Sequence, residues 1–323
     1  MGRRAVRLTY ARLPRSSSPA YGGRIVGSAM EILIGQLATG LSLGSILLLA
    51  ALGLALTFGQ MGVINMAHGE FIMAGCYTAF VVQKFIANAG VSLLVSLALG
   101  FLVGGLLGAL LEVTLIRRMY HRPLDTLLVT FGVGLILQQV ARDVFGAPAV
   151  NVTAPAWLSG GVEILGAVVP RTRIFILVLA IVCVTVLAAA LKHSPMGRRI
   201  RAVVQNRDLA ETSGISSRRT DITTFFIGSG LASVAGVALT LIGSTSSTTG
   251  QAYLIDAFLV VVVGGLGQIK GTVIAAFALG ILNSFIEYST TASLAKVIVF
   301  VIIVIFLQVR PQGLFTVRTR SLV

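Results

Sequence analysis

A short run of polar residues, Asn65, His68 and Glu70, joins the first two apolar segments of the chain. Their amide, imidazole and carboxylate groups can bind a polar solute through hydrogen bonds or charge. At the depth of a membrane such groups are costly unless they are paired or hydrated, so a cluster there indicates a transport path. The alternative is that Asn65 and His68 satisfy free backbone groups at the ends of two half-helices. The pattern favours both roles equally.

Four other polar residues inside apolar segments are candidates for the same path. Asn283 and Glu287 lie four residues apart, about one helical turn, and therefore share a helix face. Thr130 and Gln138 lie eight residues apart and are nearly aligned. Hydrogen bonding between neighbouring helices is the alternative role for all four.

Two acidic residues near the ends of segments are expected to form ion pairs instead. Glu112 precedes Arg117 at a membrane boundary, and Asp143 stands beside Arg142. We predict interfacial salt bridges for both, rather than contact with a solute.

The remaining reactive residue types do not form a catalytic or metal-binding pattern. His68, His121 and His193 are too scattered for a chelate, and Cys76 and Cys183 lie inside apolar runs. The chain contains no Gly-Lys-Ser/Thr phosphate loop and no nucleophile paired with a base. We therefore predict that the protein is not an enzyme and needs no metal or cofactor, and that another chain hydrolyses any ATP it uses.

The composition places these residues in a membrane protein. Of 323 residues, 56% are hydrophobic, 11% are charged and 36 are Gly, and the mean hydropathy is +0.95. A soluble chain of this length needs more polar surface, and abundant Gly suits closely packed membrane helices. The net charge of +14 could point to nucleic acid, but the basic residues concentrate in short loops, as cytoplasmic loops do. No nucleic-acid partner is expected.

Nine apolar segments predict an all-α, polytopic membrane bundle of about eight to nine transmembrane segments. They are 32–58, 71–86, 91–116, 126–144, 174–191, 222–242, 253–266, 272–286 and 295–309. The segments that begin at Phe71, Tyr253 and Thr272 are shorter than the roughly 20 residues that cross the hydrocarbon core. We therefore predict broken or re-entrant helices, which are tolerated where freed backbone groups face protein or water. Gly-interrupted stretches at 59–75 and 264–280 hint that the two halves are pseudo-symmetric.

The basic loops predict the orientation of the chain. Residues 117–122, 192–219 and 310–320 should be cytoplasmic, and the base-poor loop 146–170 should face outside. Three crossings precede Arg117, which places the residue before the first segment outside. The six Arg residues within 1–24 conflict with that placement.

Residues 1–29 therefore need an explanation of their own. They can be a transit peptide, a cytoplasmic tail, or an upstream extension from a mis-assigned start with Met30 as the initiator, and we favour the last. The stretch 12–19 has no apolar period and cannot bury a face, so this N-terminal extension is expected to be disordered.

The loop between the fifth and sixth segments contains a predicted amphipathic helix. Pro195 suits a helix start, Ile200, Val203 and Val204 fall on one face, and Gly214 supplies a stop. An apolar stripe on an otherwise exposed helix needs a covering partner, so we predict a docking surface. The alternative is a solvated loop whose basic residues only set the topology.

Three motifs resemble the permease subunits of branched-chain amino acid and urea ABC importers. They are the run 62–69 (Gly-Val-Ile-Asn-Met-Ala-His-Gly), the cytoplasmic loop 195–215 and the Gly-rich turn 264–271, and the similarity extends from about Glu31 to Phe315. The resemblance implies that the cytoplasmic loop couples to the ATPase. The coupling residues, including the neighbouring Arg198, are Gly197, Arg198, Arg201, Ala202, Asn206, Ala210, Gly214 and Ile215.

The resemblance also implies an architecture and a set of partners. The fold is expected to be type II ABC importer-like, with one permease domain over 30–316, a coupling loop at 192–221 and a cytoplasmic tail at 317–323. The implied partners are a homologous second permease, two ABC ATPase subunits, an extracytoplasmic solute-binding protein and membrane lipid. The implied location is the bacterial inner membrane.

Three further stretches, 122–128, 152–160 and 272–288, look like the urea branch of that family. We therefore expect a urea permease. The alternatives are a branched-chain amino acid permease, a passive channel, or a proton-coupled carrier in which Glu70 and Glu287 change protonation state. A passive channel has no use for a helix that docks an ATPase.

Overall fold

The protein is described by a computed structural model that covers residues 21–120, 122–164 and 166–315. Its helices are α1 (Tyr21–Met61), α2 (His68–Phe85), α3 (Ala89–Thr114), α4 (Pro123–Phe145), α5 (Arg171–His193), α6 (Pro195–Gln205), α7 (Arg207–Thr212), α8 (Ser217–Leu239), α9 (Thr249–Gly264), α10 (Ile269–Ser289) and α11 (Ala292–Val309). Two short 3-10 helices, Ile116–Arg118 and Ala156–Leu158, lie between them. The strands β1 (Gly161–Ile164) and β2 (Ala167–Pro170) form an antiparallel hairpin in which Gly161 lies opposite Pro170.

The prediction of an all-α polytopic bundle is confirmed, and each predicted apolar segment coincides with one helix. Seven described helices are long and apolar enough to cross a membrane, namely α1, α3, α4, α5, α8, α10 and α11. The prediction of a short segment beginning at Thr272 is wrong, because α10 extends past both ends of the apolar run to a length of 21 residues. Two helices that match predicted apolar segments fall outside this set of seven. They are α2, with 18 residues, and α9, with 16.

The first interruption of the bundle separates α1 from α2. The chain turns at Gly62, whose φ of +66° favours a residue without a side chain, and returns without helical structure to His68. The His68 ring contacts the carbonyl of Ala50, which lies 11 residues before the end of α1 at Met61. At 1.5 Å per residue this is about 16 Å, roughly half of the hydrocarbon thickness. Helix α2 therefore begins near mid-depth and runs outwards.

The second interruption separates α8 from α9 and is the counterpart of the first. Residues 240–248 form a turn in which Thr245 pairs with Val150 of the predicted outer loop. Helix α9 then begins beside the start of α2, where a Cβ on Gly69 would lie 2.6 Å from the carbonyl oxygen of Gly250. From there α9 runs to Gly264, and the next residue, Gly265, lies against the C-terminal segment that holds Phe315. The two half-helices thus begin at the same depth and run in opposite directions.

This arrangement corrects the predicted location of the second Gly-rich break. Within the run 264–271, residues 265–268 form the tight turn between α9 and α10, and α10 continues without interruption through Gly280. The counterpart of the break at 59–75 is instead the turn at 240–250. Residues 243–250 are rich in Ser and Thr, and hydropathy does not separate such a re-entrant turn from an ordinary loop.

Small residues bring the central helices into close contact, as the abundance of Gly predicts. Gly104 and Gly108 of α3 face Ser233 and Ser229 of α8, and a Cβ on Gly104 would lie 2.7 Å from the carbonyl oxygen of Ser229. A Cβ on Gly44 of α1 would similarly lie 2.9 Å from the backbone of α10. Helices α1, α2 and α8 thereby form the buried centre that supports both half-helix starts.

The predicted N-terminal extension falls largely outside the described residues, as does the tail 317–323. Within the described part, α1 begins at Tyr21, so the prediction of disorder is wrong for residues 21–29. Residues 21–29 contain no Pro, so the first span can continue backwards as a helix.

Candidate functional site

The side chains of His68 and Asn65 both form hydrogen bonds with backbone groups. The His68 side chain is fully buried, and its Nε2 lies 3.0 Å from the carbonyl oxygen of Ala50. The Oδ1 of Asn65 accepts a hydrogen bond of 3.0 Å from the backbone N–H of Ala67, at the start of α2. The Asn65 bond satisfies a backbone N–H that the interruption leaves free, whereas the Ala50 carbonyl lies inside α1, so its contact ties His68 to that helix.

Thr130 also holds the interrupted segment in place. Its Oγ1 accepts a hydrogen bond of 3.1 Å from the backbone N–H of Met66, and its side chain is fully buried. This bond ties the non-helical stretch before α2 to α4. Thr130 therefore positions the half-helix start.

Glu70 and Gln138 do meet, and they form the centre of the candidate site. The Nε2 of Gln138 donates to Oε1 of Glu70 at 2.8 Å and to Oε1 of Gln251 at 3.3 Å. The second carboxylate oxygen of Glu70 has no hydrogen-bond partner among the described residues. The three residues come from α2, α4 and α9, so the group lies where both half-helices begin. Gln251 was missed because a Gln at the start of a short helix is an ordinary capping-region residue by sequence.

This polar group borders a small cavity at an uncovered face of the chain. The cavity has a volume of about 60 Å³ and is also lined by Met66, Phe131, Leu135 and Leu254. Helix α4 continues the same uncovered face, with Leu124 exposed to 81% and Leu128 to 69%. A large exposed apolar face in a membrane protein is available to lipid or to another membrane chain.

Asn283 and Glu287 share a face as predicted, but they belong to a different cavity. The Nδ2 of Asn283 lies 3.5 Å from Oε2 of Glu287, and both line a cavity of about 450 Å³. The same cavity contains an ion pair of Lys296 with Asp256, with Nζ and Oδ2 3.2 Å apart. Sequence reasoning missed this pair, although single charges inside the apolar runs of α9 and α11 were a usable signal.

The two predicted ion pairs have different outcomes. The pair of Arg117 and Glu112 is confirmed at 2.9 Å, with the Glu112 side chain fully buried. The predicted contact of Asp143 with Arg142 is wrong, because adjacent residues on a helix point to different faces. Asp143 instead accepts a hydrogen bond of 2.9 Å from Gln139, and Arg142 donates to Ser247.

A buried polar network lies at the end of the bundle that carries the basic loops. Asp221, near the start of α8, accepts hydrogen bonds from Gln60 of α1 and Arg207 of α7, the first at 3.0 Å. The Arg207 guanidinium lies 4.8 Å from the ring centroid of Tyr120, whose hydroxyl donates to Glu112 at 3.0 Å. The network thus joins the basic loops 117–122 and 192–219, which agrees with the prediction that both loops lie on the same side of the membrane.

Two groups of this network outside the membrane spans, the Tyr120 hydroxyl and the Arg207 guanidinium, have shifted pKa values. Burial raises the pKa of the Tyr120 hydroxyl above its ordinary value, and the nearby carboxylates of Asp221 and Glu112 raise it further. Burial tends to lower the pKa of Arg207, but the hydrogen bond and the charge of Asp221 outweigh burial and raise it. Arg207 is therefore a permanent cation held against Asp221.

The predicted amphipathic helix exists as α6 and is followed directly by α7; we call these two helices the coupling helices. The Oγ of Ser194 caps α6 by accepting a hydrogen bond of 3.2 Å from Gly197 N–H, and Oδ1 of Asn206 caps α7 at 2.9 Å from Leu209 N–H. Arg201 donates to the last turn of α5.

The expected docking stripe is only partly available. Ile200 and Val203 are buried against the chain itself, because the coupling helices fold back onto the bundle. The exposed apolar residues of the coupling helices are Val204 at 49% and Leu209 at 64%. A groove of about 310 Å³ is lined by residues of α6, α8 and the turn between α7 and α8, which include Arg199 and Gly214. The predicted continuous apolar stripe is therefore not exposed, since only these two apolar side chains and the groove are open on the described coupling helices.

The residues named for coupling divide into those that build the turn and those that are exposed. Ala210 is buried, and Ile215 N–H donates to its carbonyl oxygen at 2.9 Å, which closes the turn after α7. Gly214 in that turn has a φ of +80°. Gly197 is buried against α5, where no side chain fits, and Ala202 is half-buried. Arg198 is exposed.

Comparison with known proteins identifies the class of this membrane chain. Residues 36–307 match a family model described as "Branched-chain amino acid transport system / permease component". The chain is 30% identical over 294 residues to the high-affinity branched-chain amino acid transport system permease protein LivH of Escherichia coli (strain K12), covering 86% of this chain and 94% of that protein. The permease protein BraD of Pseudomonas aeruginosa, from a transport system of the same description, is 28% identical with the same coverage.

A more limited similarity extends to a sugar permease. The ribose import permease protein RbsC of Bacillus subtilis is 32% identical over 148 residues, which is 44% of each chain. No solved structure matches the chain. The family consists of transport subunits of ABC importers, and the seven spanning helices agree with the predicted multi-pass inner-membrane location. The chain therefore belongs to the branched-chain amino acid permease family of ABC importers.

Proposed function

We propose that this permease carries branched-chain amino acids through the inner membrane, driven by ATP that separate subunits hydrolyse. The relatives named above with high coverage are branched-chain amino acid permeases, and they support this alternative rather than the urea expectation. The observation that carries the proposal is the junction of the two half-helices, where Glu70, Gln138 and Gln251 converge beside an uncovered face.

The chemistry of that junction suits a zwitterion. A helix N-terminus carries partial positive charge and attracts a carboxylate, and the starts of α2 and α9 meet at one depth. The free carboxylate oxygen of Glu70 can accept a hydrogen bond from an ammonium group. Urea is neutral and needs neither of these charges. We therefore assign substrate contact to Glu70, Gln138 and Gln251, and a supporting role to Asn65, His68 and Thr130.

The uncovered face is proposed to meet the second permease. Exposed apolar residues of α4 and α9, such as Leu128 and Ile255, flank the polar junction. A homologous chain placed against this face would enclose the junction and complete a passage between the two permeases. Lipid alone would leave the polar group in hydrocarbon, which is unfavourable.

The coupling helices are proposed to receive the motion of the ATPase. An ATPase seated on Val204, Leu209 and the adjoining groove would move α7, and Arg207 would transmit that motion to Asp221. Asp221 is hydrogen-bonded to Gln60, so α1 and α8 would move together. These are the two helices that lead directly into the two half-helix starts.

The test is uptake by the complete importer in a bacterial host that lacks its own branched-chain amino acid importers. Labelled leucine should accumulate, and accumulation should stop when ATP is depleted but continue when a proton uncoupler is added with ATP maintained. Uptake of labelled urea without leucine would restore the urea assignment. Flux that persists without ATP would indicate a channel, and flux abolished by the uncoupler alone would indicate a proton-coupled carrier.

A further inference from the structure

A second cavity with polar side chains lies apart from the Glu70 junction. It lies between α1, α9, α10 and α11 and has a volume of about 450 Å³. Its polar side chains are Tyr253, Asp256, Asn283, Glu287 and Lys296. The rest of its wall is aliphatic and aromatic, including Leu43, Leu259, Leu279 and Ile303.

The ion pair in this cavity is accessible rather than closed. Lys296 Nζ donates to Asp256 Oδ2 at 3.2 Å, and the two side chains remain 58% and 28% exposed, respectively. Glu287 has only a long contact of 3.5 Å with Asn283. Opposite charges in an apolar wall are expensive for a membrane protein, and such charges mark substrate or ion sites.

The cavity extends inwards from the outer end of the bundle. Glu287 lies two residues before the end of α10, and Lys296 lies in the second turn of α11, which begins at the same outer end. Asn283 is one turn deeper on α10, and Asp256 is on α9. A solute from outside would therefore meet Glu287 first and the ion pair next.

Two opposite charges beside an aliphatic wall define the chemical class of the ligand. A carboxylate would pair with Lys296, an ammonium group would lie between Asp256 and Glu287, and a branched hydrocarbon chain would cover the aliphatic wall. Neutral solutes such as urea or a sugar carry no charged group that could pair with Lys296, Asp256 or Glu287, and they would gain no charge-assisted hydrogen bond there. We propose that the cavity between α1, α9, α10 and α11 is a binding site for an aliphatic α-amino acid in its zwitterionic form.

The position of the site indicates how it serves transport. Ile255 lines both this cavity and the small cavity beside Glu70 and Gln251. A ligand that leaves the ion pair past Ile255 would arrive at the polar junction. The site would thus receive the amino acid before the central passage; this role in transport rests on the proposed function, whereas the ligand class follows from the cavity itself.

The test is binding of L-leucine to the full-length permease, purified with its co-expressed partner subunits in lipid nanodiscs and without the solute-binding protein. Calorimetric titration compares L-leucine with 4-methylpentanoate, which lacks the ammonium group, isopentylamine, which lacks the carboxylate, and urea. L-leucine should bind at least about tenfold more tightly than each of the other three, because only it satisfies both charges. Equal binding of urea and leucine overturns the proposal.

Matched variants connect that binding to this cavity. Asp256→Asn and Lys296→Met should each weaken leucine binding at least about tenfold, since each removes one countercharge. Glu163→Gln in the outer hairpin and Lys84→Met at the outer end of α2 make the same chemical changes elsewhere and should leave binding unchanged. Unchanged affinity in both cavity variants contradicts the proposal.

A second measurement decides the matter even if the cavity variants fail to assemble. A diazirine analogue of leucine, photoactivated on the wild-type complex, should label peptides of α9, α10 or α11, and excess leucine should suppress the label. Label confined to other helices, or no suppressible label, overturns the site. If that occurs while the importer still accumulates leucine in cells, the proposed function stands and only the site fails; absent leucine uptake would count against the function instead.

Discussion

Gly69 and Gly250 bring their backbones into direct contact at the point where α2 and α9 begin. The contact is reciprocal, since a Cβ on either residue would collide with the carbonyl oxygen of the other. It places two helix starts at one depth and brings Gln251 within reach of Gln138 and Glu70. The polar junction therefore depends on the absence of two side chains.

Replacing Gly250 by Ala should destabilise the permease. The added methyl group has no space beside the carbonyl of Gly69, and overpacking of this kind costs about 1–3 kcal/mol. Thermal unfolding in detergent measures the effect. Gly132→Ala on α4 is the matched control, because no atom lies within 4 Å of its Cβ position. Equal stability of the two variants would show that the contact is loose.

Gln138→Leu should reduce leucine uptake, whereas Gln139→Leu should not. Gln138 is bonded to Glu70 and Gln251, but its neighbour bonds only to Asp143 on the exposed side of α4 among the described residues. We expect at least about a tenfold loss of uptake for the first variant, which removes the shared hydrogen-bond donor of the junction. Initial rates of labelled leucine uptake, normalised to membrane-inserted protein, decide this. Matching rates would remove the junction from the path.

Asp221→Asn should uncouple ATP hydrolysis from transport. The substitution removes the charge that holds Arg207 and so weakens the link between α7 and the two long helices. In the assembled complex we expect ATPase activity to persist while leucine uptake falls. Asp208 is an exposed carboxylate on α7, the helix that also holds Arg207, and Asp208→Asn should leave both activities intact. A parallel loss of insertion or assembly in the Asp221 variant would assign it a folding role instead.

Gly214 is expected to tolerate Asn but not Val. Its φ of +80° is a left-handed conformation, which Asn adopts readily and a β-branched residue adopts at a cost of about 1–2 kcal/mol. Gly214→Val should therefore distort the turn after α7 and abolish ATP-driven uptake, with the permease still inserted. Gly214→Asn should remain active. Activity of the Val variant would argue that the turn does not position the docking surface.

A bulky charged residue at Ala210 should have the same functional effect for a different reason. Ala210 is buried in the turn that Ile215 closes, so Ala210→Glu would force a carboxylate into a closed site. Co-purification of the ATPase with the permease measures docking directly. Full ATPase recovery together with normal uptake would exclude Ala210 from the coupling surface.

Local patterns account for the parts of this protein that the sequence predicted well. Apolar runs of about 20 residues predict membrane helices, and Pro195 with Gly214 correctly bounded the region of the coupling helices, because hydropathy and end signals act within a few turns. The same locality explains two errors. The alternation of buried and exposed positions on α6 does not reveal that Ile200 and Val203 fold back onto the chain, and adjacency of Arg142 and Asp143 does not create a contact.

By itself the sequence determined an all-helical membrane protein, the positions of its basic loops and the polar residue types that could contact a solute. Only the tertiary structure decided which of these residues meet. At the Glu70 junction, Gln138 contacts Glu70, which is 68 positions away in the sequence, and Gln251, which is 113 positions away. Asn283 and Glu287 belong to another cavity, in which Asp256 pairs with Lys296. Contacts between distant segments depend on how closely helices approach and at what depth each begins. Those properties come from the Gly contacts between helices, and no periodicity within one segment encodes them.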